Sequence, residues 1–283
     1  MNISMSNYLH SSYNLDDQKI ISVLDEISLW GSQPGISILD HIPYKKGMNV
    51  LDVGFGVGFP LIELAMRLGN TCSVYGLDPW KSGIARALQK TVICGVSNVR
   101  IVEGEAEKMP FENSFFDLVV SNNGLNNVHD LSSVLNECSR VMKPGGEMIF
   151  TFNTDRSFIE FYSVFRTVLK NNELGEYDAK ITEHIYAKRK PRQEFERLLK
   201  DSGFGMISSH ESNFHYRFSD GTAMLNHFFI KVAFLDSWKN ILPEHHREKV
   251  FTQIEKELNA QSHEPQGLVM NVPFVTMECA KVG

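Results

Sequence analysis

From residue 48 onward, short apolar runs alternate with segments of helical period. The runs at 48–53, 72–77, 98–102, 116–121 and 147–152 read as strands, and 60–68, 80–93 and 130–142 read as helices. The period supports this reading. Leu61, Leu64, Ala65 and Leu68 share one helical face, as do Leu131, Val134, Leu135 and Cys138. KPGG at 143–146 marks a turn between the last of these helices and its strand. The rhythm predicts a parallel sheet with helices on both faces.

The flanks follow other patterns. Residues 16–29 place Ile20, Val23, Leu24 and Ile27 on one face after two acidic residues suited to a helix start, which predicts a helical lid or flank. LWGSQPGISILDHI then carries a Gly/Pro break and a short apolar helix ending at Pro43. Beyond residue 153, SFIEFYSVFRTVLK is an aromatic-rich helix, and PRQEFERLLKDSGF is a helix stopped by glycine before a strand at 205–211. Two further helices are expected within 214–260. In PFVTMECAKV, Val275, Met277 and Cys279 alternate as in a closing strand. The expected organisation is a helical flank at 1–44, a core at 45–152, a helical insertion at 153–190, core again at 191–213, a helical cap at 214–265 and a final strand at 266–283. The cap is expected over the carboxyl edge of the sheet, where open α/β sheets place ligands.

Composition narrows the function classes. With 42% apolar residues among 283, the chain can bury a full core. A formal charge of -6 argues against a dedicated polyanion binder, and KRKPR at 188–192 is the only dense basic patch. The four cysteines show no CxxC or Cys/His ligand spacing, so neither a disulfide framework nor a metal site is expected. A reducing, cytoplasmic setting fits. The N-terminus has no basic region followed by an apolar core, and no apolar run reaches the roughly 18 residues of a membrane span.

The chemistry gathers at MNVLDVGFGVGFPLIELAMRLG, residues 48–69. Gly54, Gly56 and Gly58 permit backbone angles closed to other residues and let a ligand approach bare main chain. A dinucleotide fingerprint would need glycine at 59, where Phe59 stands, and no GK[ST] provides a P-loop. In VYGLDPW, Asp78 ends the second strand, where its carboxylate could accept both hydroxyls of a ribose or cap the next helix. EGEAEKMPFENSFFDLVVSNNGLNNVHD adds an acid and a small residue after strand three and a polar loop after strand four.

In order and spacing, VLDVGFGVG, GLDPW, GEAEKMPF, FDLVVSNNGLNNV and VMKPGGEMIF resemble the motifs of class I S-adenosylmethionine-dependent methyltransferases, closest to the small-molecule branch with the ubiquinone and menaquinone enzymes. The resemblance covers residues 45–152 well and the final strands loosely. It implies an α/β, Rossmann-like seven-stranded sheet, mostly parallel with the last strand antiparallel, carrying helical cap insertions. It also implies S-adenosylmethionine as cofactor, with S-adenosylhomocysteine as product. Gly54, Gly56 and Gly58 would wrap the methionine part, Asp52 would support the loop and the amino group, and Asp78, followed by Pro79 and Trp80, would hold the ribose. Glu105 would accept the adenine amino hydrogen beside Ala106, although many relatives carry Asp there. The loop after strand four, from Ser121 and Asn122 to Leu125, would line the methyl-transfer centre. Phe55 stands where small or sulfur-bearing residues are common, a departure expected to alter packing.

Such an enzyme must hold a nucleophile in line with the carbon–sulfur bond and exclude water. His129, His184, His215 and His227 are candidate bases; Leu225, Phe228, Phe229 and Val232 form one helical stripe of the cap, which either packs on the core or lends its rings, with Tyr162, to an apolar substrate wall. The expectation is methyl transfer to a small, partly apolar metabolite, with no nucleic-acid partner and with the aromatic cap as a homodimer surface. Protein methylation, a non-catalytic scaffold and a Rossmann dehydrogenase are the alternatives.

Overall fold

The computed structural model describes residues 7–27, 29–263 and 265–282. The reading of the first six residues, and that of the Ile27 side chain, lie outside this set. Seven strands form one sheet: β1 Asn49–Val53, β2 Ser73–Asp78, β3 Val99–Glu103, β4 Phe116–Asn122, β5 Met142–Asn153, β6 Phe204–Phe218 and β7 Leu268–Lys281. Their order is β3-β2-β1-β4-β5-β7-β6. The strands β3, β2, β1, β4 and β5 pair in parallel, and β7 runs antiparallel to β5. The chain order reverses between β1 and β4, which opens a crevice at the carboxyl ends of these strands.

Helices α1 Gln18–Ile27, α2 Ser32–His41, α3 Leu61–Leu68, α4 Lys81–Ile93, α5 Leu131–Val141, α6 Ile159–Asn171, α7 Asp178–Lys188, α8 Arg192–Asp201 and α9 Gly221–Asn226 intervene, with a long helix at Glu244–Gln261. The helical faces expected from the sequence are the buried ones: Leu61, Leu64, Ala65 and Leu68 of α3 pack on one side of the sheet, and Leu131, Val134, Leu135 and Cys138 of α5 on the other. Asp130 caps α5, its side chain accepting from the Ser133 amide at 3.2 Å.

Three elements differ from expectation. Pro34 and Gly35 do not break the chain before α2 but lie inside it, because Pro34 falls in the first turn, where its missing N–H is not needed. Gly35 is there for space: a β-carbon would stand 2.2 Å from Phe59 Cε1. KPGG is absorbed into β5 as an irregularity, the register stepping from Phe116↔Met142 to Leu118↔Glu147. Finally, β6 runs to Phe218, well past 211, because Phe214, Tyr216 and Phe218 continue an alternating pattern.

The chain divides into two compact units. One comprises residues 15–154, 190–212 and 274–283; the other comprises 1–14, 155–189 and 213–273. The first holds the crevice and two apolar layers on the sheet faces. The second has an aromatic core in which Trp238 stacks on Phe161 at 3.9 Å between ring centroids and lies edge-on to Phe158 at 6.0 Å. Trp238 Nε1 donates to the Tyr162 hydroxyl at 3.1 Å, so the buried indole keeps a partner. Of the expected stripe, Leu225 and Phe229 are buried here, together with Phe234 and Trp238, while Phe228 and Val232 are half-buried. No helix among the described residues is long and apolar enough to cross a membrane.

Candidate functional site

The turn leaving β1 adopts positive φ at all three glycines: +77° at Gly54, +57° at Gly56 and +106° at Gly58. Only glycine takes such angles without strain. Gly54 has a second reason to lack a side chain. Its β-carbon would lie 3.1 Å from the Cα of Gly124, and one on Gly124 would lie 2.6 Å from the Val53 carbonyl oxygen, so the loops after β1 and β4 approach main chain to main chain. At Gly56, by contrast, a β-carbon would meet nothing within 4 Å. The turn is held from outside by Lys90, whose Nζ donates to the Val57 carbonyl at 2.8 Å and to Asp25 of α1 at 2.6 Å.

Two buried carboxylates lie beneath this turn. Asp78 accepts the Gly56 amide on Oδ2 at 2.7 Å and the Trp80 amide on Oδ1 at 2.8 Å. Each oxygen keeps lone-pair capacity for a further donor, which suits a vicinal diol. Burial raises the Asp78 pKa, while the Trp80 and Gly56 amides pull it back. Asp52 is fully buried, and neither of its oxygens has a hydrogen-bond partner in normal geometry. Its pKa is pushed up to about 8, first by burial and then by the charge of Asp78, with the nearby Leu61 amide opposing. An unpartnered buried acid under bare backbone is an unfinished site, and a cationic ligand group would complete it.

A cavity of about 380 Å³ opens here, lined by residues at or just beyond the carboxyl ends of β1, β2, β3 and β4. That is within the usual size range of small-molecule sites. It brings together Gly54, Gly56, Asp78, Pro79, Trp80, Glu105, Ala106 and His129 of the residues singled out from sequence. Gly124, inside the loop 121–125 expected to line the transfer centre, is in the wall too, whereas Gly104, Glu107, Asn127 and Val128 also line it and were missed. Gly104 carried a signal in being a glycine at a strand end, whereas Asn127 and Val128 carried none. Glu107 holds the segment carrying His129, accepting from its backbone amide at 2.9 Å.

Other singled-out residues lie beside the cavity rather than in its wall. Phe55 is buried in the apolar layer against α3, and Gly58 packs against Ala87 and Ile62. Ser121 is buried and donates to the Val53 carbonyl at 2.7 Å, tying β4 to β1. Asn122 donates to the Gly31 carbonyl at 2.9 Å, tying β4 to the start of α2. The next residue, Asn123, belongs to the loop expected to line the transfer centre. It is buried with a left-handed φ of +57°, and its side-chain amide has no partner. Asn153, at the end of β5, leaves its Nδ2 likewise unpartnered.

Tyr162 and His184 belong to the second unit. Tyr162 is buried in the aromatic core, and that burial raises its pKa. His184 lies beside it, at 6.1 Å between ring centroids, with its pKa lowered to about 4 by burial and by the charges of Arg189 and Lys188. His227 of the same unit is shifted down by burial and by Lys231.

The donor set fits S-adenosylmethionine: an acid with two oxygens free to accept from a ribose, bare main chain at Gly56 and a buried unpaired acid for a cationic group. Comparison with known proteins agrees. A methyltransferase domain model matches residues 51–150, the segment that builds this cavity. Demethylmenaquinone methyltransferase of Geobacillus sp. (strain WCH70) is 34% identical over 170 residues, covering 56% of this chain and 72% of the relative. Its counterpart in Staphylococcus aureus (strain MRSA252) is 37% identical over 112 residues, covering 40% and 46%. The chain thus spans about half the length of some curated relatives and nearly three quarters of others. Among solved structures, a SAM-dependent methyltransferase from Aquifex aeolicus superposes with a TM-score of 0.52 at 22% identity, covering 68% of this chain and 91% of that one. The chain belongs to the class I S-adenosylmethionine-dependent methyltransferases, a family whose cofactor is S-adenosylmethionine, and within it resembles the menaquinone-type enzymes.

Proposed function

We propose that the chain transfers a methyl group from S-adenosylmethionine to a nucleophilic atom of a small, partly apolar metabolite by in-line displacement. The observation that carries this reading is the Asp78 carboxylate, fixed by two backbone amides at the mouth of the cavity. The relatives named for demethylmenaquinone support a small-molecule acceptor.

The bound cofactor supplies an electrophilic methyl on a sulfonium sulfur, so the protein has mainly to position and to exclude water. Asp78 would accept the ribose hydroxyls. Glu105 and Ala106 would meet the adenine edge, and the backbone from Gly54 to Gly56 would lie along the methionine part. Asp52 places a buried acid beneath that turn, where it favours positive charge. His129, in the cavity wall, is the proposed general base, worth roughly 10²- to 10⁴-fold where the acceptor must lose a proton. Asn123 and Asn153, with side-chain nitrogens uncommitted at the ends of β4 and β5, are the proposed groups that orient the acceptor.

Calorimetric titration with S-adenosylmethionine tests the first half of this reading. Formation of S-adenosylhomocysteine across a panel of phenols, carbon acids and amines tests the second. Binding followed by turnover of a panel member is the expected result; no binding at millimolar cofactor would overturn it. A cytoplasmic location, self-association and indifference to nucleic acid belong to the same proposal. Sedimentation and nucleic-acid titration check the last two.

A further inference from the structure

On the sheet, away from the Asp78 cavity lining, two histidines and a glutamate converge. His41 ends α2, His210 lies on β6 and Glu278 lies on β7. Among the described residues this is the one cluster with the ligand chemistry and spacing of a metal site. We propose that it binds a zinc ion that fastens α2 to the β7–β6 side of the sheet.

The geometry is close to what zinc requires. His41 Nε2 lies 3.8 Å and His210 Nε2 lies 3.7 Å from Glu278 Oε1, and all three ligand atoms fall within 4.8 Å of one another. Tetrahedral zinc with bonds near 2.0–2.1 Å spaces its ligands at about 3.4 Å. Two edges therefore need only a few tenths of an ångström of closure, and the third is closed by turning His210, the most exposed of the three. Two imidazoles and one carboxylate select a borderline transition metal over calcium or magnesium, and they leave a fourth position for water.

The surroundings orient the set. His41 Nδ1 lies 2.6 Å from the Ser37 carbonyl oxygen, which accepts only a proton, so Nδ1 carries the hydrogen and Nε2 presents a lone pair toward Glu278. The Ser208 hydroxyl donates to Glu278 Oε1 at 2.5 Å and lies 3.2 Å from His210 Nε2. Without metal it bridges the two, accepting from His210 Nε2–H. With metal, that nitrogen offers its lone pair and the proton moves to Nδ1. α2 is also bound by Ser37, whose hydroxyl lies 2.7 Å from that of Thr276, two residues before Glu278 on β7. The ion would thus reinforce an existing seam.

The test uses the full chain, untagged and stripped with EDTA. ZnCl₂ is titrated by calorimetry into wild type, His210→Ala and Glu278→Gln, with MgCl₂ as the hard-cation control. The expected result is one zinc per chain with Kd tighter than about 10 µM, no response to magnesium, and a loss exceeding about 100-fold in each variant, beyond what removing a supporting partner alone produces. Tm of wild type should rise with zinc while that of His210→Ala does not. Weaker binding, another stoichiometry or unchanged affinity in both variants would overturn the proposal. Titration of metal-free His210→Ala with S-adenosylmethionine gives a separate readout, expected at the wild-type value, so failure of the zinc site and failure of the cofactor site are distinguishable.

Discussion

The Gly56 amide donates to Asp78 Oδ2 at 2.7 Å, so the turn after β1 and the acid ending β2 act as a single device. The acid sets the turn, and the turn in turn holds the acid for a ligand.

Asp78→Ala removes both functions. Charge-assisted hydrogen bonds are each worth roughly 1.5–3 kcal/mol, so affinity for S-adenosylmethionine should fall about tenfold or more. Asp78→Asn should not restore it, because an amide offers one acceptor oxygen where two backbone N–H groups now need one each. Calorimetry on both variants checks this, and wild-type affinity in either would exclude the ribose role.

Two glycines should separate binding from folding. Gly56→Ala places a methyl where the protein has nothing within 4 Å, at a cost of about 1 kcal/mol for left-handed backbone, so it should fold with modestly lower Tm and bind cofactor poorly. Gly124→Ala drives a methyl to 2.6 Å from the Val53 carbonyl and should lower Tm more. Melting curves and cofactor titration of the pair decide the matter; equal Tm losses would contradict it.

Asp52 predicts a pH signature. Its folded-state pKa, about 8, lies above the ordinary 3.8, so the folded chain holds this proton more tightly than the unfolded chain does. The associated stability is fully present below about pH 4 and is lost as pH rises through about 8. Asp52→Asn keeps the neutral state at every pH. The variant should therefore gain on wild type between pH 4 and 8, by on the order of 1 kcal/mol or more, and then hold a constant lead. Denaturant melts of both proteins across this range measure the gap; a gap that shrinks with rising pH would refute the reading.

Asn123 predicts a separation of activity from stability. Asn123→Gly relieves left-handed strain while adding freedom to the unfolded chain, so stability should stay within about 1 kcal/mol of wild type. The unpartnered amide is lost, and turnover should drop at least tenfold with cofactor affinity unchanged. Unaltered kcat/KM would remove Asn123 from the acceptor site.

The sheet and its cofactor loops were legible because buried strands read as short apolar runs and because glycine and aspartate at strand ends have few other uses. Asp78 and Gly56 are such cases. Ser121 and Asn122 show the limit: a polar residue ending a buried strand reads as a ligand group, yet here it is consumed by the Val53 and Gly31 carbonyls. Asn127 and Val128 reach the cavity through loop geometry, which leaves no periodic trace. The histidines were ambiguous for a related reason. His41 and His210 lie 169 positions apart in sequence and converge with Glu278 only through the pairing of distant elements.

The central claim is that an adenosyl sulfonium lies along bare backbone with its ribose on Asp78. Co-crystallisation with S-adenosylhomocysteine tests it most directly. The account predicts both ribose hydroxyls within hydrogen-bond reach of the Asp78 carboxylate and the adenine beside Glu105 and Ala106. Density for the nucleoside elsewhere, or none in this cavity at saturating ligand, would contradict it.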